Sequence, residues 1–270
     1  MNVATLNQNN NTVDSVVLPP RMKDIYGWWD LHTWRGAALG QINTAYDRSG
    51  RGNNLANDNG SEQPDVSTAL STQFNHGKSV ALFSVGDHLE NSGADFDGVF
   101  GNVSSPTTDP EFEIALVLAE ANHATGHDTF FSFNSSTQAD QIYLARHNQG
   151  IAFRVRGSVD NTFDTSDADF TADTAQTLMF SLQQDGAGEM NAYGWLAGTA
   201  LDWDDTGIST NYPMDPATFR GMDELTMGGM NLGAGEYLGY IAEVIFWDGK
   251  HTAAERTELL NYLRDKWDCT

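Results

Sequence analysis

Cysteine and basic residues are both scarce in this chain. Among its 270 residues there is one cysteine, Cys269, which excludes a disulfide framework within the chain. The chain contains 14 Lys and Arg and 37 Asp and Glu. Two long segments, residues 79–145 and residues 157–219, contain no Lys or Arg. Nucleic acids and anionic membranes are bound through clustered cations. The charge balance therefore predicts that neither is a partner.

Long apolar runs are also missing. No stretch approaches the ~20 apolar residues that a membrane-spanning helix requires, so we expect no membrane insertion. The first residues lack the basic and then apolar layout of a secretory signal. Together with the unpaired Cys269, this predicts synthesis and assembly in a reducing cytosol.

Aromatic residues, by contrast, are abundant, with 7 Trp, 8 Tyr and 14 Phe available for a core. Residues 112–118 are apolar at nearly every position, which is typical of a strand buried on both faces. Residues 151–156 alternate between apolar side chains and small or charged ones, the pattern of a strand with one wet face. Residues 178–182 and 192–196 flank a glycine-containing turn and predict a β-hairpin. These patterns indicate an all-β domain.

One amphipathic helix is predicted at the end of the chain. Thr252 and Glu255 have the spacing of a capping box, in which each side chain accepts a hydrogen bond from the other residue's backbone amide. Apolar residues then recur at helical spacing and form one stripe: Leu259, Leu260, Leu263 and Trp267. A single helix after many strands predicts a sandwich or jelly roll, with the apolar stripe packed on the sandwich itself.

Residues 1–24 form a distinct polar segment that is rich in Asn and ends near Pro19-Pro20. We interpret this segment as an N-terminal arm for assembly and residues 25–270 as one domain, because no linker or internal repeat interrupts them. The apolar residues of the arm are the candidate contacts: Val13, Val16, Val17 and Leu18. Two alternatives remain open for what they contact, a neighbouring subunit of a homo-oligomer such as a trimer, or the arm's own domain.

Four segments resemble one family, in the order in which the family has them. Trp28-Trp-Asp30 is similar to its opening strand, and Tyr46-Asp-Arg-Ser-Gly-Arg-Gly-Asn-Asn54 is similar to its D-x-S-G-x-G-N turn. The residues around Asp185-Gly186 resemble its central hairpin. Gly239-Tyr-Ile-Ala-Glu-Val-Ile-Phe-Trp-Asp248, followed by the capped helix to Trp267, resembles its closure. This family is the concanavalin A-like lectin and glucanase family, in its laminin-G-like form.

The resemblance covers roughly residues 25–268. It implies a jelly-roll β-sandwich with one C-terminal α-helix, to which this chain adds an extended N-terminal arm. Members of this kind occur in bacteriophage virion proteins and in bacterial surface or secreted proteins that bind polysaccharide. The fold alone does not choose between these functions.

Catalytic motifs of the fold are incomplete in this chain. Its glycosidases carry carboxylates at alternate positions of one strand, and Glu111 and Glu113 are only the nearest approach to the expected Glu-x-Asp-x-x-Glu spacing. Its polysaccharide lyases cluster Arg, Gln, His and Tyr on strands. Residues 141–143 (Gln-Ile-Tyr) and 154–156 (Arg-Val-Arg) are fragments of such a set, and we interpret them as ordinary solvent-facing positions. We therefore expect no enzymatic activity.

Calcium is the one cofactor that the sequence leaves open. Calcium prefers oxygen ligands, and laminin-G-like relatives often hold one ion at the rim of the sandwich. Asp185 and Glu189 flank the glycines of the predicted hairpin turn and are the candidate ligands, with the acidic residues of 202–205 as a second group. The alternative interpretation is an ordinary turn and a solvated acidic loop.

A long segment, residues 199–220, stands where many relatives have a short connection. Loops of this length are usually functional or disordered. The segment places Trp203 among carboxylates, and an aromatic ring can stack on a sugar while carboxylates accept hydrogen bonds from its hydroxyls. The candidate glycan site therefore comprises Asp202, Trp203, Asp204, Asp205 and Tyr212. In the alternative interpretation, Trp203 only holds the loop against the sandwich.

Two functional interpretations follow. The first is a non-enzymatic structural protein of a bacteriophage virion, either a capsid decoration or a fibre or tail component. Its arm would contact other virion proteins, and its jelly roll would present a surface for host glycans. The alternative is a bacterial carbohydrate-binding protein, or a divergent polysaccharide-degrading enzyme, at the cell surface or outside the cell. The missing signal and the incomplete catalytic set favour the first.

Overall fold

The computed structural model describes most of the residues of the chain. They are residues 3–5, 15–31, 40–67, 74, 80–102, 104–108, 110–120, 127–135, 140–147, 150–156, 160–164, 171, 173–184, 190–201, 212–214, 218–219, 221–230 and 235–269.

Strands account for most of these ranges. Up to residue 108 they are β1 (Val3–Thr5), β2 (Ser15–Val17), β3 (Ile25–Asp30), β4 (Thr44–Ala45), β5 (Leu55–Ala56), β6 (Asp65–Ser67), β7 (Val80–Phe83), β8 (Leu89–Asn91), β9 (Gly101–Asn102) and β10 (Ser105–Thr108). The later strands are β11 (Phe112–Glu120), β12 (His127–Asn134), β13 (Gln141–His147), β14 (Gly150–Arg156), β15 (Asp160–Asp164), β16 (Gln176–Gln184), β17 (Met190–Leu196), β18 (Thr199–Ala200), β19 (Tyr212–Met214), β20 (Thr218–Phe219), β21 (Glu224–Met227) and β22 (Gly239–Asp248). The helices are a short α1 (Asp97–Phe100), the C-terminal α2 (Ala253–Trp267) and a single 3-10 turn (Met22–Asp24).

Two antiparallel sheets stack to form a sandwich. The nine-stranded sheet runs in the order β18-β17-β16-β11-β22-β7-β6, with β19 pairing with β17 and β3 pairing with β22. The eight-stranded sheet runs in the order β15-β14-β13-β12-β21-β8-β5-β4. The predicted fold class, an all-β sandwich with one C-terminal helix, is confirmed. The predicted hairpin is also confirmed, because β16 and β17 pair from Leu178 opposite Leu196 to Gln184 opposite Met190.

The middle of the nine-stranded sheet is buried on both faces, as the apolar run of residues 112–118 predicts. Every residue of β11 is buried, and β11 pairs with β16 on one side and β22 on the other. Leu116 lies in the core between the two sheets, whereas Val117 lies in a second core on the outer face. Successive side chains of a strand point to opposite faces, so an apolar run needs cover on both.

Phenylalanine rings join the two sheets in the inner core. Phe133 comes from the eight-stranded sheet and Phe246 from the nine-stranded sheet, and their ring centroids are 4.9 Å apart. Phe96, just before α1, meets both rings edge-on, at 4.8 Å from Phe133 and 5.4 Å from Phe246. Edge-to-face contacts are favoured because the positive ring edge meets the negative ring face.

The predicted turn at residues 46–54 is closed by the carboxylate of Asp47. This carboxylate accepts hydrogen bonds from the backbone amides of Trp28 and Asn53, both at 3.0 Å. Gly50 and Gly52 have φ values of 87° and 83°, in the left-handed region that favours glycine. The turn is therefore held against β3.

Helix α2 begins with the predicted capping box. The backbone amide of Glu255 donates to the Thr252 hydroxyl at 3.3 Å, and the backbone amide of Thr252 donates to the Glu255 carboxylate at 2.7 Å. The buried residues of α2 are Leu259, Tyr262, Leu263 and Trp267. The predicted stripe is wrong in one member, since Leu260 is only half-buried. Tyr262 takes the buried position because its hydroxyl finds a hydrogen-bond acceptor beneath the helix.

That acceptor is Glu243, a fully buried carboxylate on the outer face of β22. It accepts hydrogen bonds from four side chains: Trp28 Nε1 at 2.7 Å, Tyr262 Oη at 2.8 Å, Lys266 Nζ at 2.9 Å and Trp267 Nε1 at 2.6 Å. Lys266 also donates to Asp30 at 2.8 Å. Burial alone would lower the pKa of Lys266, but the charges of Glu243 and Asp30 and its hydrogen bonds to both leave it raised. A buried carboxylate requires such partners.

The chain enters this sandwich along its own outer face. Leu18 packs against the core beneath α2, and the Pro20 carbonyl accepts a hydrogen bond from Trp247 Nε1 at 3.4 Å. Further upstream, β1 and β2 pair with each other. Of the arm contacts predicted from the sequence, Val13 lies outside the described residues, and only the backbones of Val16 and Val17 are described. Their assembly role and the homo-oligomer remain predictions.

Candidate functional site

The glycan and calcium sites predicted from the sequence fall largely outside the described residues. Asp202, Trp203, Asp204 and Asp205 lie in one undescribed segment, and Asp185 and Glu189 lie in another. Tyr212 begins β19, which pairs with β17, but only its backbone is described. Glycan binding by the first group and calcium binding by the second therefore remain predictions. Among the described residues, no group of three or more His, Cys, Asp or Glu is arranged to hold a metal ion.

The outer face of the eight-stranded sheet is polar, unlike the outer face under α2. Alternate residues of four neighbouring strands lie on it, because inward-facing positions such as Phe133, Leu144 and Phe153 belong to the inner core. We call this surface the polar face. It comprises Ser132 and Asn134 of β12, Gln141 and Tyr143 of β13, Arg154 and Arg156 of β14, and Glu224 and Thr226 of β21.

A chain of hydrogen bonds runs across the polar face. Gln141 Nε2 donates to Asn134 Oδ1 at 2.9 Å, Asn134 Nδ2 donates to Ser132 Oγ at 3.3 Å, and Ser132 Oγ donates to the Gly229 carbonyl at 3.2 Å. Asn134 and Ser132 are fully buried, whereas Gln141 is half-buried. Buried polar groups need partners, and this chain supplies them in series. Its effect is to hold the carboxamide of Gln141 in one orientation at the surface.

The register of β13 and β14 brings together the two sequence fragments that were interpreted as ordinary strand positions. Gln141 lies directly opposite Arg156, and Tyr143 lies directly opposite Arg154. Directly opposite residues on one face have neighbouring Cβ atoms. Arg156 is exposed, Arg154 is half-buried, and Tyr143 is 7% exposed. An amide, a phenol and two guanidinium groups thus form one continuous patch.

Met230 closes one side of this patch. It is half-buried and packs against the small apolar cluster of Tyr143, Ala145 and Ala152 on the polar face. The flexible thioether of methionine fills irregular gaps beside such aromatic rings. The position of Met230 therefore limits the exposure of Tyr143 and leaves Gln141 and Arg156 as its more accessible neighbours.

Glu111 and Glu113, the nearest approach to a glycosidase pair, have structural partners. Glu111 accepts hydrogen bonds from Lys250 Nζ and from the backbone amide of Gln184, both at 2.9 Å. Glu113 is fully buried beneath the start of α2, where it contacts the His251 imidazole and accepts from the His251 backbone amide at 2.9 Å. A carboxylate buried beneath a helix is not placed to contact a sugar.

Another buried carboxylate lies where the two sheets meet at one end of the sandwich. Glu120, the last residue of β11, is 3% exposed and pairs with Arg146 of β13. Burial raises the pKa of Glu120 to about 7, although the charge of Arg146 and its hydrogen bond act in the opposite direction. A raised carboxyl pKa is common in functional sites. The small exposed fraction of Glu120 nevertheless makes this pair part of the framework.

No helix in the described part of the chain is long and apolar enough to cross a lipid bilayer.

Solved structures share the fold of this chain, although no protein-family model and no curated protein matches it. Domain 4 of an extracellular arabinanase from Geobacillus stearothermophilus, solved with arabinotriose, aligns with a TM-score of 0.55 at 12% identity, over 88% of this chain and 98% of that one. The binding domain of botulinum neurotoxin serotype G aligns with a TM-score of 0.55 at 12% identity, over 90% of this chain and 51% of that one. Trypanosoma rangeli sialidase, in complex with the inhibitor DANA, aligns with a TM-score of 0.52 at 11% identity, over 90% of this chain and 33% of that one. At these identities the likeness shows a shared β-sandwich fold.

Sequence reasoning did not single out the polar face as a site. The signal was present in the alternation of residues 132–134, 141–143 and 154–156, which places polar and aromatic side chains at every second position. What it did not supply was the pairing of these strands. Without the register, three short polar alternations on separate strands are indistinguishable from ordinary solvent-facing positions.

Proposed function

We propose that this chain is a carbohydrate-binding domain that acts outside the cell or at a cell surface, and that it binds glycans on the polar face. Two of the structures with the same fold support the binding class: the arabinanase domain was solved with arabinotriose, and the neurotoxin domain is described as a binding domain. Carbohydrate binding was the alternative of the two sequence-based interpretations. These neighbours favour it over a virion role, which stays a prediction.

The observation that carries the proposal is the juxtaposition of Gln141, Tyr143, Arg154 and Arg156 on adjacent strands. Sugar hydroxyls both donate and accept hydrogen bonds, and an amide together with guanidinium groups offers both functions. Tyr143 is buried beside these groups at 7% exposure and contributes little of its ring to the surface. The patch is therefore mainly a hydrogen-bonding surface.

Preorganisation supports the same conclusion. Ordering a flexible side chain on binding costs about 0.5–1.5 kcal/mol, which weakens the affinity of an unprepared surface. Gln141 is already held by Asn134, which is held in turn by Ser132. The amide therefore presents a fixed orientation to a ligand without a further ordering cost.

Catalysis is not part of the proposal. The carboxylates at Glu111 and Glu113 are engaged with Lys250 and His251. A polysaccharide-degrading enzyme of this fold remains the alternative, and it would be recognised by product release from a polysaccharide panel.

A glycan array read with wild type and single variants tests the proposal. Gln141→Ala and Arg156→Ala should each weaken binding about tenfold, the equivalent of one lost hydrogen-bonding group at about 1.4 kcal/mol. Gln41→Ala is a matched control, since Gln41 is an exposed glutamine that bridges to β6 in the other sheet. Trp203→Ala in the same array tests the loop site predicted from the sequence. If both polar-face variants bind glycans as tightly as wild type, the polar face is excluded as the glycan-binding site.

A further inference from the structure

Two aromatic side chains lie parallel on the outer face of the nine-stranded sheet, on the strand next to its edge. Tyr193 and Trp195 are alternate residues of β17, so both point to the same face. Their ring centroids are 6.1 Å apart and their planes differ by 7°. Both rings are half-buried, at the border of the area that α2 covers. Parallel and partly exposed rings on one strand form a continuous aromatic strip.

The polar groups of these rings distinguish them from the buried tryptophans of this face. Trp28 and Trp267 donate their indole N–H groups to Glu243, and Trp247 donates to the Pro20 carbonyl. Within the described part of the chain, neither the Trp195 indole N–H nor the Tyr193 hydroxyl has a protein hydrogen-bond partner. A buried Tyr or Trp usually has one. The strip therefore presents an apolar surface together with unused hydrogen-bonding groups.

Polar side chains run beside the strip on the neighbouring strand. Ser181 lies directly opposite Tyr193, and Gln183 lies directly opposite Asn191, the next residue outward on β17. Gln183 Nε2 donates to Ser181 Oγ at 2.7 Å, which orients the Gln183 carboxamide. The aromatic strip thus has an oriented amide along one side, the combination that suits a ligand with apolar faces and hydroxyl edges.

Helix α2 holds the inner end of the strip in place. The Arg256 guanidinium lies over the Trp195 ring, 4.7 Å from its centroid, and donates to the His251 carbonyl at 2.8 Å. A stacked guanidinium restrains an aromatic ring and covers one of its faces. Tyr193, one pleat further out, lies beyond this cover. Tyr193 is therefore the ring on which binding should depend most directly.

From this geometry we infer a second carbohydrate site, on the opposite side of the sandwich from the polar face, with Tyr193 and Trp195 as its stacking platform. Its ligand class is a neutral pyranose polymer, whose C–H faces pack on the rings while its hydroxyls reach Gln183 and the two aromatic polar groups. The net charge of −23 opposes the binding of polyanionic chains. This site is independent of the one proposed on the polar face.

The two sites lie on outer faces of different sheets, so one short oligosaccharide cannot contact both. They can engage separate chains, or distant parts of one polymer. When one polymer reaches both sites, binding at the first site raises the effective concentration of the polymer at the second site. The avidity of the domain for the polymer then exceeds the affinity of either site alone. Retention on a polymer should therefore exceed retention on the matching oligosaccharide.

Affinity electrophoresis in gels that contain soluble neutral β-glucan or xylan tests the inference. Tyr193→Ala should weaken binding about tenfold, the loss expected for one stacking contact. Tyr46→Ala is the matched control, because Tyr46 is an isolated tyrosine that is 56% exposed in the turn at residues 46–54. Trp195→Phe keeps a ring in the strip. The affinity of this variant for the polysaccharide should stay within a few-fold of the wild-type value. The change in tryptophan emission that the ligand induces in wild type should be lost.

Three outcomes would overturn the second site: wild-type affinity in Tyr193→Ala, an emission change that persists in Trp195→Phe, or no retention of wild type by any neutral polysaccharide. The glycan array separates this failure from failure of the polar-face proposal, since Gln141→Ala and Arg156→Ala probe the other surface. An effect of Tyr193→Ala that persists in the Gln141→Ala background would establish that the sites are independent.

Discussion

The two outer faces of the sandwich handle polar groups in opposite ways. On the nine-stranded sheet, α2 covers the centre of the face, and the carboxylate of Glu243 is sealed beneath it with four donors. On the eight-stranded sheet, the chain from Ser132 through Asn134 to Gln141 starts in the interior and ends at a half-buried side chain. The Glu243 network is therefore buried throughout, whereas the hydrogen-bond chain of the polar face ends at the protein surface.

The difference shows what each face does. A sealed network contributes to stability because every buried donor and acceptor depends on the others. A network that ends at the surface holds a side chain ready for another molecule. Stability should therefore depend on the face that α2 covers, and ligand binding on the polar face and on the partly exposed rings of β17.

The largest effect is expected for Glu243→Ala. Loss of this carboxylate leaves the N–H groups of Trp28 and Trp267 and the Tyr262 hydroxyl without their acceptor, and it removes one of the two anions beside Lys266. Breaking a buried pair in this way costs about 3–5 kcal/mol. Urea unfolding followed by tryptophan fluorescence measures the loss. A decrease below about 1 kcal/mol would contradict the view that this network fastens α2.

A matched control for that prediction lies on the other sheet. Glu90 of β8 is exposed, and Glu90→Gln should change the free energy of unfolding by no more than about 0.5 kcal/mol, as is usual for surface substitutions. Similar losses in both variants would erase the distinction between the two faces.

An intermediate effect is expected from the pH dependence of stability through Glu120, at the end where the sheets meet. Its pKa is about 7 in the folded protein against an ordinary value of 4.5, chiefly because of burial. Between these pH values the folded state retains a proton that the unfolded chain has released. The contribution is complete below pH 4.5 and is lost as the pH rises through about 7. Its size is on the order of 3 kcal/mol.

Glu120→Gln isolates this contribution. The variant keeps the shape of the side chain but cannot titrate, so the difference in unfolding free energy between wild type and variant should change between pH 4.5 and pH 7. Urea titrations at several pH values measure it, and the same series on Glu90→Gln corrects for general charge effects. A difference that stays constant with pH would refute the raised pKa.

The smallest effect is expected for Thr252→Ala at the start of α2. The substitution removes the hydroxyl that accepts from the Glu255 backbone amide, and loss of an N-cap costs about 1 kcal/mol. Thr257→Ala is the control, since Thr257 lies exposed within the helix and donates only to the Ala253 carbonyl. Thermal unfolding should show a clear decrease for the first variant alone. Equal melting temperatures would mean that tertiary contacts alone hold the helix end.

Local sequence patterns predicted the elements of this fold well. The apolar run of residues 112–118 becomes a doubly buried strand, because apolar side chains lie on both of its faces and its one polar residue, Glu113, is buried beneath the start of α2. The capping box at Thr252 forms because both partners lie within one helical turn. The apolar stripe was predicted less well, since Tyr262 is buried through its hydrogen bond to Glu243, a residue 19 positions away.

The all-β class, the β16–β17 hairpin, the turn at Asp47 and the capped terminal helix follow from local sequence patterns, because each depends on side chains that are close along the chain. Which polar residues meet depends on how the strands pair. Gln141 and Arg156 become neighbours through the register of β13 and β14, and Trp195 meets Arg256 through the placement of α2 on the sheet. Strand pairing and helix placement result from the burial of whole faces, and no short stretch of sequence encodes that.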